Sequence, residues 1–280
     1  MTDLRSAASA VGGARPAFAV GRLHWGLVAV LIALAGAGWW WTTGAMRGMD
    51  NGPWTALGSF GWFLVVWVVM MAAMMFPSVA PTIALYARMS TTSRLAPAVF
   101  TSGYLLTWAA AGVVAWLIGV AGRNATGDSL AWAHAGRPLA GGTLILAAVY
   151  ELTPLKNACL GRCRSPLGFL LGSWRDGAAG ALEMGARHGA WCVGCCWALM
   201  ASLFALGVMS LAWMALIGAL IALEKTLPWE RPATYGTAAL LLVLGVVLVA
   251  SPDAIPGLTV PGDAMGTGMG APGGGMMQTP

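Results

Sequence analysis

The sequence predicts an all-α fold, a polytopic transmembrane helical bundle of about seven spans. Two observations carry that prediction, and a third fits it. The 280 residues are 58% hydrophobic and only 9% charged, against roughly 25% charged in an average soluble domain. So few charges cannot give a water-solvated exterior. The apolar residues are also gathered into runs of roughly 20, the length a helix needs to cross the hydrocarbon core. Finally, there are 15 Trp, many near run ends, such as Trp39, Trp40, Trp41 and Trp54. At the lipid–water interface an indole buries its ring and keeps its N–H wet.

Taken in order, residues 1–23 form an N-terminal tail. The first apolar run starts only after Arg22, ends in Trp-Trp-Trp and offers no small-residue cleavage site. It is therefore expected to be a retained helix and not a secretory signal. Predicted spans cover residues 24–43, 59–78, 96–121, 138–153, 189–208, 210–226 and 235–251. The fourth is short, and only a tight turn near Ser210 separates the fifth from the sixth. Six spans plus a re-entrant pair satisfy the same pattern. Residues 24–251 thus make one transmembrane helical domain with a Cys-containing loop at 154–188. Residues 252–280, rich in Gly, Pro and Met and without a basic residue, are expected to be disordered.

Basic residues orient the bundle. The tail carries Arg5, Arg15 and Arg22, and later loops on the same side carry Arg88, Arg94, Lys156, Arg162, Arg164, Arg175, Arg187, Lys225 and Arg231. The opposite side has Arg47, Arg123 and Arg137. The side with the excess faces the cytoplasm, so the N-terminus is expected inside and the C-terminus outside. The net charge of +5 reflects that bias and does not indicate a nucleic-acid partner.

Chemistry concentrates in one region. All five Cys lie between residues 159 and 196, as Cys159-x3-Cys163 after the fourth span and His188-x3-Cys192-x2-Cys195-Cys196 opening the fifth. At about 100° per residue, positions 188, 192, 195 and 196 share an arc of roughly 100° on a helix. One face then offers an imidazole and three thiols, extended by Met184 and Met200. A lone membrane Cys is a small hydrophobe. Three thiols within five residues beside a His have the donor set of a soft-metal or redox site.

Met70, Met71, Met74 and Met75 form two i, i+4 pairs near the end of the second span. Met is often core filler, but its thioether also suits Cu(I). Pro77 follows and has no N–H, which frees a carbonyl beside the cluster. Glu151, Glu224 and Lys225 close apolar runs, where ionisable groups mark functional or anchoring positions. On the predicted topology all these groups reach the cytoplasmic face. Met46 and Met49, the tail Met residues, His24 and His134 read as low complexity or ordinary structural positions.

These residues also carry a resemblance. Met70-Met71-Ala72-Ala73-Met74-Met75-Phe76-Pro77, Tyr150-Glu151-Leu152-Thr153-Pro154-Leu155-Lys156 with Cys159 and Cys163, and Cys192-Val193-Gly194-Cys195-Cys196-Trp197 resemble an uncharacterised bacterial family of predicted metal-binding integral membrane proteins. The resemblance covers about residues 60–230, and its most specific piece is Cys-x-x-Cys-Cys-Trp. It implies a metal site in a bacterial cytoplasmic (inner) membrane protein and names neither metal nor activity.

Three functions remain open on the sequence. The leading one is a soft-metal site, for Cu(I) or Zn(II), used in membrane handling or translocation. Its expected ligands are Cys192, Cys195, Cys196, His188, Cys159 and Cys163, with Met70, Met71, Met74, Met75 and Glu151 in support. Its expected partners are the lipid bilayer, the metal ion, and a metallochaperone or membrane partner. The second is a structural scaffold stapled by zinc on Cys159, Cys163, Cys192 and Cys195. The third is a membrane thiol–disulfide enzyme, which a reducing cytoplasmic face disfavours. No phosphate-binding Gly-x-x-x-x-Gly-Lys-Ser/Thr loop occurs, and a non-enzymatic role is favoured.

Overall fold

A computed structural model describes residues 17–45, 59–90, 93, 95–126, 137–206, 211–226 and 230–250. Among the described residues there are nine helices and no strand. They are α1 (Ala17–Ala45), α2 (Phe60–Met89), α3 (Ala96–Thr126), α4 (Arg137–Glu151), α5 (Pro154–Arg164), α6 (Pro166–Ser173), α7 (Gly177–Leu206), α8 (Leu211–Thr226) and α9 (Glu230–Ala250). The extreme N-terminus, the Met-rich tail, Met46, Met49, Trp54, His134 and the Ser210 turn lie outside the described residues.

Long apolar runs form long helices because no polar alternative competes for the backbone. Among the described residues, four helices are long and apolar enough to cross a bilayer: Trp25–Gly44, Phe60–Met89, Ala96–Gly122 and Pro232–Ala250. A fifth crossing arises if Pro138–Glu151 and Pro154–Arg164, bent by 69°, count as one broken span. The expected spans in α4, α7 and α8 are not among these four; the 30-residue α7 is long enough, but over its described residues it is not apolar enough. The 15-residue α4 and 16-residue α8 rise only about 22–24 Å at ~1.5 Å per residue, short of a ~30 Å core. The outward faces are nonetheless apolar. Val30, Ile32 and Leu34 on α1, Leu117 and Ile118 on α3, Leu146 and Val149 on α4, and Val243 and Val246 on α9 are all exposed.

The segment expected as a loop at 154–188 is helical. α4 stops where Thr153 caps a new helix, its side chain accepting from the Lys156 N–H at 3.3 Å, with Pro154 in the first turn. Pro tolerates that position because its missing N–H has no intrahelical partner there. α6 follows Pro166 in the same way. α7 opens at Gly177, whose φ of +80° disfavours a side chain, and it begins well before the span predicted from residue 189. α2 likewise runs through Pro77 and Pro81 to Met89.

Packing is closest between α3 and α7, α4 and α9, and α1 and α2. Small residues permit this. A Cβ on Gly103 would strike the Leu182 carbonyl, and one on Gly185 would strike the Phe100 carbonyl. Backbones that approach so closely gain dispersion and weak polar contacts over their whole length. Thr107 Oγ1 adds a hydrogen bond to the Ala186 carbonyl at 3.0 Å. Trp67 Nε1 donates to the Trp108 carbonyl at 2.8 Å and ties α2 to α3. Together these contacts fix α7 at the centre, with α2, α3, α4, α5 and α8 around its middle.

Candidate metal centre

α7 supplies the core of the site. The Sγ atoms of Cys192, Cys195 and Cys196 lie within 4.8 Å of one another, and all three residues are buried. Helical spacing alone brings them together. The thiols of Cys195 and Cys196 fold back on the Cys192 carbonyl at 3.1 and 2.9 Å. α5 then brings Cys163, whose Sγ is 3.8 Å from that of Cys195. α2 brings Met75, whose Sδ is 4.0 Å from Cys192 Sγ.

These sulfur separations can be compared with coordination geometry. With metal–sulfur bonds of about 2.3 Å, neighbouring ligands sit roughly 4.0 Å apart in a trigonal site and roughly 3.8 Å apart in a tetrahedral one. The Cys163–Cys195 and Met75–Cys192 separations fall on those values. α7 thus has one sulfur pair with α5 and one with α2, each at the spacing of two ligands on a shared ion. An all-sulfur set of thiols and a thioether suits a soft, thiophilic ion, and the thioether in it suits Cu(I).

The surroundings are polar in a few chosen places. Tyr104 OH on α3 is 3.0 Å from Cys192 Sγ. Lys225 Nζ on α8 lies 3.0 Å from the same sulfur and 3.7 Å from Met75 Sδ. Tyr150 OH on α4 donates to the Gly194 carbonyl at 2.5 Å, and its ring meets Trp197 edge-on at 4.9 Å. That bond pins α4 to the turn of α7 that carries the thiols.

The other predicted residues are placed around this core. Cys159 lies against α7 where Gly194 leaves room, since a Cβ there would meet its Sγ at 2.9 Å. It is outside the close thiol group. His188, one turn before Cys192, is enclosed by Phe100, Tyr104 and Phe169, the last edge-on at 4.9 Å. Its Nδ1 is buried without a hydrogen-bond partner. Met70, Met71 and Met74 are buried in the core, Met70 and Met71 about one turn before Met75 and Met74 next to it in sequence, and Met74 faces α8 beside Gly218. Glu151 does not face the thiols. With Glu224 it holds the fully buried Lys156, at 2.7 Å for Glu224. One oxygen of each carboxylate, Oε1, has no partner.

Sequence reasoning placed the thiols and Met75 but did not foresee Tyr104, Tyr150 and Lys156 at these positions. Tyr150 and Lys156 both stand in the stretch that carries the family resemblance, without a role assigned there, and Tyr104 carried no signal. The family comparison covers all of these residues. The family described as PpoB2, copper chaperone, matches residues 64–248. The chain belongs to this family. No curated protein and no solved structure matches the chain. The matched stretch of the PpoB2 family runs from early α2 to the end of α9 and so includes every thiol, the four clustered Met, Glu151, Lys156 and Lys225. Copper as cargo agrees with a sulfur-only donor set.

Proposed function

We propose that this chain is an integral membrane copper-handling protein that takes Cu(I) from the cytoplasmic side and passes it on through its helical bundle. The observation that carries the reading is the buried group of Cys192, Cys195 and Cys196 on α7, with Cys163 of α5 against Cys195 and Met75 of α2 against Cys192. Cys192 would be the central ligand. Cys163, on a short helix at the rim, would exchange the ion with a metallochaperone. The buried Met70, Met71 and Met74 would offer weaker ligands beyond it. A series of weak, adjacent sites lets an ion move, whereas a closed cage of four thiolates traps it. Cys159 and Cys163 both lie outside the close group of three thiols, so the four-thiolate set of a zinc staple is not gathered at one point, which favours the open arrangement.

The membrane setting is part of the proposal. Apolar outward faces and the basic-residue bias support a bacterial inner-membrane protein with a cytoplasmic N-terminus. In this reading α1–α4 and α7–α9 are the seven spans, and α5 with α6 lies along the inner face. Residues 1–23 would be a cytoplasmic tail and 252–280 an external one. The test is purification in detergent under reducing conditions with copper supplied, followed by metal analysis. Wild type is expected to hold Cu(I) near one per chain or above, and the Cys192, Cys195 and Cys196→Ser variant is expected to lose it. Equal copper in the two proteins overturns the proposal.

A further inference from the structure

Lys225 is a charged residue in contact with the sulfur core, and copper handling alone gives it no role. It sits in the last turn of α8. Its neighbour Glu224 turns to the other face and accepts from Lys156. Among the described contacts, the hydrogen-bond acceptors of Lys225 are both sulfur, Cys192 Sγ at 3.0 Å and Met75 Sδ at 3.7 Å. Those two atoms, 4.0 Å apart, are the pair an ion would bridge. A cation is therefore already tethered at the edge of the site.

We propose that Lys225 is a specificity-determining residue, a fixed positive charge that makes the Cys192–Met75 edge accept a monovalent soft ion and reject divalent ones. The inference rests on the copper-handling reading of the same site. Its physical content is a difference between ions. Any change in the sulfurs themselves acts on every thiophilic metal. Direct repulsion between the bound ion and the ammonium is twice as large for a divalent ion as for a monovalent one, and a buried setting screens it weakly. The Lys225 charge cannot move far away. Its helix turn is held by the Glu224–Lys156 ion pair at 2.7 Å, and its stem is partly buried. Softness selects sulfur-loving ions, and this charge would then choose among them by valence.

The probe that separates valence from softness is Cd(II), which is thiophilic but divalent. Cu(I) and Cd(II) affinities are measured by chelator competition on detergent-purified wild type, Lys225→Leu, Lys225→Gln and Lys225→Arg, with Cys192→Ser as reference. The proposal expects the Cu(I)-to-Cd(II) affinity ratio to fall by about tenfold or more in the two neutral variants, as one extra unit of charge at this range requires. Lys225→Arg keeps the wild-type ratio. An unchanged ratio in whichever neutral variant elutes as a folded, monodisperse protein overturns the role of Lys225. If wild type binds no Cu(I), or Cys192→Ser binds it as well as wild type, the copper-handling reading itself fails, which is a different result.

Discussion

Replacing Lys156 by Met removes the one cation that holds two buried carboxylates. Lys156 and Glu151 are fully buried and Glu224 is nearly so. The remaining oxygen of each carboxylate is already without a partner. Breaking such a set by removing one member costs about 3–5 kcal/mol, because the charge left behind is stranded in a low dielectric. Here two like charges are left facing one another, which places the cost at the upper end. For a chain of this size, about 2–4 °C of melting temperature per kcal/mol converts the upper end of that cost to a fall of roughly 10–20 °C. The surface pairs give the contrast. Arg175–Glu183 at 2.7 Å and Arg187–Glu183 at 3.1 Å are about 40–50% exposed, and such pairs contribute roughly 0–1 kcal/mol. Glu183→Gln therefore serves as control. The assay is thermal unfolding of detergent-purified protein. Combining Lys156→Met with Glu151→Gln and Glu224→Gln removes the stranded charges and is expected to restore most of the stability. A Lys156→Met melt within about 2 °C of wild type, or a triple variant no better than the single one, refutes the reasoning.

Three further outcomes follow from the same geometry. Met75→Leu is expected to weaken Cu(I) binding about tenfold or more in chelator competition, while Met70→Leu leaves it within about twofold, since only Met75 touches Cys192; the estimate takes loss of a metal-site group at about 10–100-fold. Tyr150→Phe removes the hydrogen bond to the Gly194 carbonyl and is expected to cost about 1 kcal/mol of unfolding free energy, with folded yield otherwise preserved. Gly185→Leu forces a side chain into the Phe100 backbone, and size-exclusion chromatography is expected to show a large loss of folded protein, whereas Gly172→Ala, at an open position, gives wild-type yield.

Much of this was legible in the sequence because it depends on period. Apolar runs of the right length announce helices, and thiols at positions 192, 195 and 196 must share a helix face whatever the tertiary fold. That residues 70–225 meet at one end of the bundle followed from alternating the direction of successive spans. What the sequence could not show depends on side-chain direction across helices. Glu151 looked like a ligand, but α4 bends into α5 at Thr153-Pro154, and that elbow returns Lys156 to it. Lys225 and Glu224 looked alike as run-end charges. Adjacent positions on a helix point about 100° apart, so one reaches the thiols and the other the ion triad. Tyr104 lay inside an ordinary apolar span and gave no signal. The helical state of 154–188 was hidden by its short, Pro-started pieces, which lack the long periodic pattern of a span.

The most direct test of the central claim is X-ray absorption at the copper edge on Cu(I)-loaded, detergent-purified protein. A site made by Cys192, Cys195, Cys196, Cys163 and Met75 predicts a first shell of sulfur alone at about 2.3 Å. It also predicts that this shell is lost in the Cys192, Cys195 and Cys196→Ser variant. A first shell dominated by nitrogen or oxygen, or one unchanged in that variant, would contradict the account.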